Sequence, residues 1–127
     1  MFIFTQVENE NDFNLHLIEF KKTINTSALD KSKWQLVMGF YNARAIAGFL
    51  GIQINDVYIY SGYRKDEIDD VDSATLIQLR ASNNAEAIQK ISDWKNGKCK
   101  LKIDGELRCF KQGKIKLDDN GYGTFYL

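Results

Sequence analysis

The last thirty residues, KCKLKIDGELRCFKQGKIKLDDNGYGTFYL (98–127), carry the densest structural signal in the chain. Three glycine-ended turn signals divide them: Ile103-Asp104-Gly105, Lys111-Gln112-Gly113 and Asp119-Asn120-Gly121. Each fits a three-residue hairpin loop, in which a type I turn is followed by a positive-φ residue that glycine adopts without steric cost. In that register Leu101 faces Leu107, Cys99 faces Cys109, Cys109 faces Ile115, Leu107 faces Leu117 and Ile115 faces Phe125. Every pair is apolar and all lie on one face. A two-residue loop at Asp104-Gly105 would instead set Cys99 against Phe110 and Leu101 against Arg108, turning one strand's apolar set outward. The pattern therefore predicts a four-stranded antiparallel meander. With helices packed on its apolar face, the expectation is an α+β fold spanning residues 1–127 as a single domain.

Upstream, FIFTQV (2–7) reads as a strand. Asn11 is placed to cap a helix whose stripe is Phe13, Leu17, Phe20 and Ile24, at helical spacings of four, three and four. His16 falls on that helix's polar side. Residues 30–52, DKSKWQLVMGFYNARAIAGFLGI, read as one buried helix from Asp30, with glycines at positions of close packing. A strand over 34–41 followed by a short helix is the alternative, because Gly39 and Gly48 each weaken a helix by about 1 kcal/mol relative to alanine. DVYIYSGY (56–63) alternates as a strand, and ATLIQLRA (74–81) reads as another. Asn83 and Glu86 have capping-box spacing before a helix with Ala87, Ile88, Ile91 and Trp94 on its stripe, ended by Gly97.

The 127 residues carry 17 basic and 17 acidic side chains, 44% hydrophobic residues and no proline. This composition suits an ordinary globular domain with one core. No segment has the roughly 20 apolar residues needed to cross a bilayer, and the acidic start lacks the basic region of a secretory signal. A cytoplasmic location with reduced Cys99 and Cys109 is expected. The zero net charge conceals segregation: residues 56–72 sum to −4 and residues 90–116 to +6. Such polarity permits an oriented electrostatic contact while leaving general nucleic-acid affinity weak.

Two surfaces follow from this pattern. The acidic stretch SGYRKDEIDDVDS (61–73) reads as a loop. It does not match a calcium-binding EF-hand: counted from Asp66, positions 3, 6 and 12 are Ile68, Val71 and Ile77. Its clustered carboxylates instead resemble a phosphate mimic, able to occupy a basic cleft on a partner and accelerate encounter. The partner-binding set is Asp66, Glu67, Asp69, Asp70 and Asp72, with Tyr60, Tyr63 and Arg64 as flanking anchors. The meander's second face would carry Lys98, Lys100, Lys102, Arg108, Lys114 and Lys116 among Phe110, Tyr122 and Tyr126. Cations interleaved with aromatics can hold single-stranded nucleic acid, so this face supports the alternative function.

Catalytic and metal-binding patterns are missing from the sequence. A single histidine excludes a multi-histidine centre. The two cysteines have no Cys-x-x-Cys spacing, and no glycine-rich phosphate loop is present. No catalytic residue, metal ligand, cofactor or small-molecule substrate is assigned, and the chain is read as a binding protein, not an enzyme.

With its charge cluster KDEIDDVD (65–72) and hairpin-rich end, the chain resembles the small bacterial immunity proteins of contact-dependent growth inhibition and related polymorphic toxin systems. That resemblance implies a cytoplasmic inhibitor in a stoichiometric complex with a cognate protein toxin domain, often a nuclease. The neutral net charge departs from the strongly acidic character of many nuclease inhibitors.

Overall fold

After β1 (Phe2–Gln6), residues 12–24 form a strand, β2 (Asp12–Ile24), in place of the expected helix. The computed structural model describes residues 1–127. The helical spacing of Phe13, Leu17, Phe20 and Ile24 is overridden because β2 lies inside the sheet with both faces covered. Leu15 and Leu17 are buried on one side, His16 and Ile18 on the other. A strand buried on both faces loses the polar–apolar alternation that would have identified it.

Residues 26–50 form one long helix, α1 (Thr26–Leu50), in agreement with the single-helix reading but starting four residues earlier. Asn25 caps it, its side chain accepting from the Ala28 N–H at 2.8 Å, and Gly51 (φ 69°) ends it. The chain then enters β3 (Gln53–Asp66), which contains the expected strand at 56–63. Residues 73–81 form a helix, α2 (Ser73–Ala81), where a strand was expected. Asp72 caps it through the Thr75 N–H at 2.8 Å, and Ala, Leu, Gln and Arg are all good helix formers. Next comes α3 (Ala85–Lys95), capped by Asn84 and followed by Gly97 in the left-handed region. The hairpin β4 (Lys98–Ile103) and β5 (Glu106–Lys116) completes the regular structure.

The five strands form one mixed sheet in the order β1-β2-β3-β5-β4. The two outer pairs are antiparallel; β2–β3 and β3–β5 are parallel. The α+β class stands, but the meander does not. Asp104-Gly105 is a two-residue turn with both residues at positive φ (52° and 81°), the geometry that matches strand twist in a tight hairpin. Its register pairs Cys99 with Phe110 and Leu101 with Arg108, one residue off the expected pairing. Lys111-Gln112-Gly113 makes no turn, since β5 runs straight through it to Lys116 beside β3. Residues 117–127 form no strand either.

The slipped register is tolerated because α1 covers β4 more than the outer part of β5. Cys99, Leu101 and Ile103 enter the main core with Leu15, Leu17, Ile59, Leu36 and Phe40. Leu107 and Cys109 are left exposed. A second cluster, Ile24, Leu29, Tyr63, Ile68, Ile91 and Trp94, joins α3 to the far end of the sheet, with Leu76 and Leu79 of α2 packed against it. The opposite sheet face carries no helix. There Phe20 lies over Gly62 and Tyr60 over Gly113, directly across paired strands; a Cβ on either glycine would fall 2.5 Å from the ring. The chain end returns over this face, with the Phe125 and Tyr60 ring centroids 4.6 Å apart.

Candidate partner-binding surfaces

The acidic stretch is a structured turn, and much of its charge is committed internally. Asp66 is buried. Its Oδ2 accepts from Trp94 Nε1 at 2.8 Å, and its Oδ1 accepts from the N–H groups of Ile68 (3.0 Å) and Asp69 (3.1 Å). A carboxylate held by three donors fixes the path of the chain leaving β3. Asp72 caps α2, and hydrogen bonding from Thr75 holds its carboxyl below the usual range. Asp69 lies 3.5 Å from Lys114 and Glu67 lies 3.4 Å from Lys65, while Asp70 is exposed and makes no ion pair.

Three of the eight expected partner-binding residues therefore point elsewhere. Asp66 is inside. Tyr63 is buried edge-on against Trp94, and burial, followed by the nearby Asp66 and Asp69 charges, raises its hydroxyl pKa. Tyr60 is half-buried between Gly113 and Phe125, and burial raises its pKa too. Glu67, Asp69, Asp70 and Asp72 remain at the surface on a turn anchored by Asp66 and the α2 cap, while Arg64, exposed in β3, lies against Gly121 of the terminal segment.

The basic and aromatic face separates for the same reason that the meander does. In the hairpin register Lys98, Lys100 and Lys102 pair with Lys111, Cys109 and Leu107, and at this open edge Lys100 reaches round to Asp93 of α3 at 3.3 Å. Arg108 and Phe110 lie on the α1 face. Lys114 and Lys116 sit on the helix-bearing side, their ammonium groups 4.5 Å and 5.4 Å from the Trp94 and Tyr63 ring centres. Tyr122 and Tyr126 are exposed on the terminal segment. No continuous platform of cations and rings is formed.

His16, expected on a polar helix face, is buried in β2. Its ring is stacked with Tyr58 and Tyr60, at centroid distances of 5.1 and 5.9 Å. Its Nε2 is 2.8 Å from Thr5 Oγ1, and burial lowers its pKa, favouring the neutral ring. No group of three or more His, Cys, Asp and Glu side chains gathers in a metal-binding arrangement. A recess of about 20 Å³ beside Ser32, whose buried Oγ has no partner, has room for about one water.

The cysteines, expected to be direct neighbours, point to opposite faces. Burial pushes the Cys99 thiol up to about 11, whereas Cys109 is exposed. The thiolate is the reactive form, so an aromatic disulfide reagent at pH 8 should titrate one thiol rapidly and the second only on unfolding. Two fast thiols in the native protein would contradict the burial of Cys99.

Sequence reading did not identify a further surface. Besides the face it buries, α1 presents Trp34, Met38 and Phe49 to solvent, Phe49 being 90% exposed. The signal was present as a second apolar stripe, but in a helix read as wholly buried every apolar residue was assigned to the core. Arg44 anchors this helix to the hairpin: its guanidinium donates to both Asp104 oxygens, at 2.6 and 2.9 Å, and Tyr41 Oη accepts from the Asp104 N–H at 2.9 Å. No family model, curated protein or solved structure matches the chain.

Proposed function

We propose that the protein is a toxin-neutralising immunity protein: a cytoplasmic, non-enzymatic inhibitor that covers the active-site cleft of a cognate nuclease toxin domain. The observation that supports this reading is the acidic turn, anchored by hydrogen bonds at both ends. Glu67, Asp69 and Asp70 project from a backbone fixed by the Asp66–Trp94 hydrogen bond at one end and the Asp72 cap at the other. A pre-organised cluster of carboxylates loses little conformational freedom when it meets a basic cleft. Nucleic-acid binding is the weaker reading, because its cations and rings are divided between two faces of the sheet.

The test is growth rescue. The protein is co-expressed with a toxin domain encoded beside it in its native host, and association of the purified pair is followed by stopped flow. Charge reversal at Asp69 and Asp70 is expected to slow association about tenfold or more at low salt and to flatten its salt dependence. Rescue with unchanged association kinetics would remove the turn from the interface. Absence of rescue by the wild-type chain, with tight binding to single-stranded RNA or DNA in a gel shift, would favour the nucleic-acid reading.

A further inference from the structure

A second surface, at the opposite edge of the sheet, has properties that the acidic turn lacks. Strand β4 is an edge strand whose sole sheet neighbour is β5. The two-residue turn makes Ile103 and Glu106 a hydrogen-bonded pair, and strict antiparallel alternation then gives Leu101–Arg108 and Cys99–Phe110 the same role. The backbone N–H and C=O groups of Lys98, Lys100 and Lys102 consequently face outward. No loop, side chain or terminal segment bonds to them.

Along this edge, between it and α1, runs an open groove of about 620 Å³ with Trp34, Val37, Leu101 and Leu107 as its apolar lining. Trp34 is 66% exposed and Leu107 71%. Lys33, Lys100 and Lys102 rim it. Lys100 is paired with Asp93 at 3.3 Å, whereas Lys33 and Lys102 have no acidic partner. The nearby Asp104 is held by Arg44, leaving Glu106 as the unpaired acid near the hairpin turn.

Lysines on a sheet edge ordinarily discourage indiscriminate strand pairing. The same charges discriminate among strands, repelling basic segments, giving neutral ones no attraction and favouring an acidic one. Protection alone does not call for a large exposed indole and leucine beside the free backbone groups. We propose that the β4 edge is a docking site for an extended acidic segment of a partner protein, which adds a sixth strand beside β4. Alternate side chains of that strand face opposite sides, so its carboxylates meet Lys98 and Lys102 on one side while its apolar side chains lie on Trp34 on the other. The free backbone groups call for an extended occupant, since a helix has none to offer them. This site is separate from the acidic turn and stands or falls independently of the toxin reading.

Trp34 is a built-in reporter, since the other tryptophan, Trp94, is buried. A blocked nine-residue peptide of alternating glutamate and valine is the probe, with its lysine-for-glutamate counterpart as control. The expected result is a saturable blue shift of emission that disappears in Trp34→Phe, together with slowed amide exchange at Lys98, Lys100 and Lys102. Lys98→Glu with Lys102→Glu, neither of which breaks an ion pair, should weaken binding about tenfold or more while leaving the circular dichroism unchanged. Should that pair fail to fold, Lys102→Pro, which removes one outward N–H and no hairpin bond, should likewise lose the peptide. The proposal is overturned by no shift, by an equal response to the lysine peptide, or by a shift without amide protection. Concentration-dependent self-association that protects the same amides would assign the edge to a second copy instead. Because the Asp69/Asp70 charge reversal leaves this edge untouched, failure of either site can be told from failure of the other.

Discussion

Replacing Trp94 by alanine is expected to destabilise the protein by about 3–5 kcal/mol, the range for truncating a fully buried aromatic side chain. Trp94 is 1% exposed and lies at the centre of the second cluster, with Tyr63 edge-on at 5.7 Å and Lys114 over its ring. Its Nε1 also supplies one of the three donors to the buried Asp66 carboxylate. Truncation therefore opens a cavity and removes a partner from a charge that water reaches poorly. Against a typical total stability of about 5–15 kcal/mol, that loss brings the protein close to unfolding at ordinary temperature. Urea denaturation monitored by far-ultraviolet circular dichroism measures it. Trp94→Phe keeps the ring but not the N–H, and is expected to cost about 1–3 kcal/mol. A double-mutant cycle of Trp94→Phe with Asp66→Ala should show coupling of at least 0.5 kcal/mol or so, as residues in direct contact do. A Trp94→Ala protein with an unaltered urea midpoint would show that α3 does not hold this end of the sheet.

The second large effect concerns the face without helices. Gly113→Val should destabilise by about 1–3 kcal/mol through overpacking, because its Cβ would fall 2.5 Å from Tyr60 Cδ1. The ring cannot swing away freely. It stacks near His16 and is covered by Phe125, so displacing it disturbs the β2–β3 polar cluster and the terminal segment together. Removing the obstacle gives the diagnostic comparison: Tyr60→Ala with Gly113→Val should lose less stability than the sum of the two single changes. Strict additivity would mean that the ring and the glycine are not in register. Phe20 over Gly62 repeats the motif one strand across, and the two aromatic–glycine pairs account for glycines inside central strands, where they would otherwise weaken pairing.

Particular residues explain which parts of the fold were legible in the sequence. The long helix was, because Leu36, Phe40, Ala43 and Ala47 keep helical spacing and Gly51 stops it. The strand around Val57 and Ile59 was legible from alternation. Asp12–Ile24 was not: in a central strand Leu15, His16, Leu17 and Ile18 are consecutively buried, and a run apolar on both sides can be fitted by several periods. The hairpin register was misjudged by weighing side-chain burial above turn geometry. Asp-Gly adopts the two-residue turn readily, and leaving Leu107 and Cys109 exposed was the cost accepted. That slip also scattered the expected basic face. Of the acidic turn, its position and charge were visible, but the roles of Asp66 and Asp72 depended on Trp94 and Thr75. The first lies 28 residues away and the second in a segment read as strand.

The order of strands has a consequence for the nascent chain. β5, synthesised after the four strands before it, lies between β3 and β4 and supplies β3 with its second neighbour. Until about residue 116 has left the ribosome, β3 presents an unpaired edge running from Ile59 to Tyr63, a surface open to misassociation between newly made chains. Entry of β5 closes that edge, and the hairpin turn is clasped by Arg44 and Tyr41 of α1.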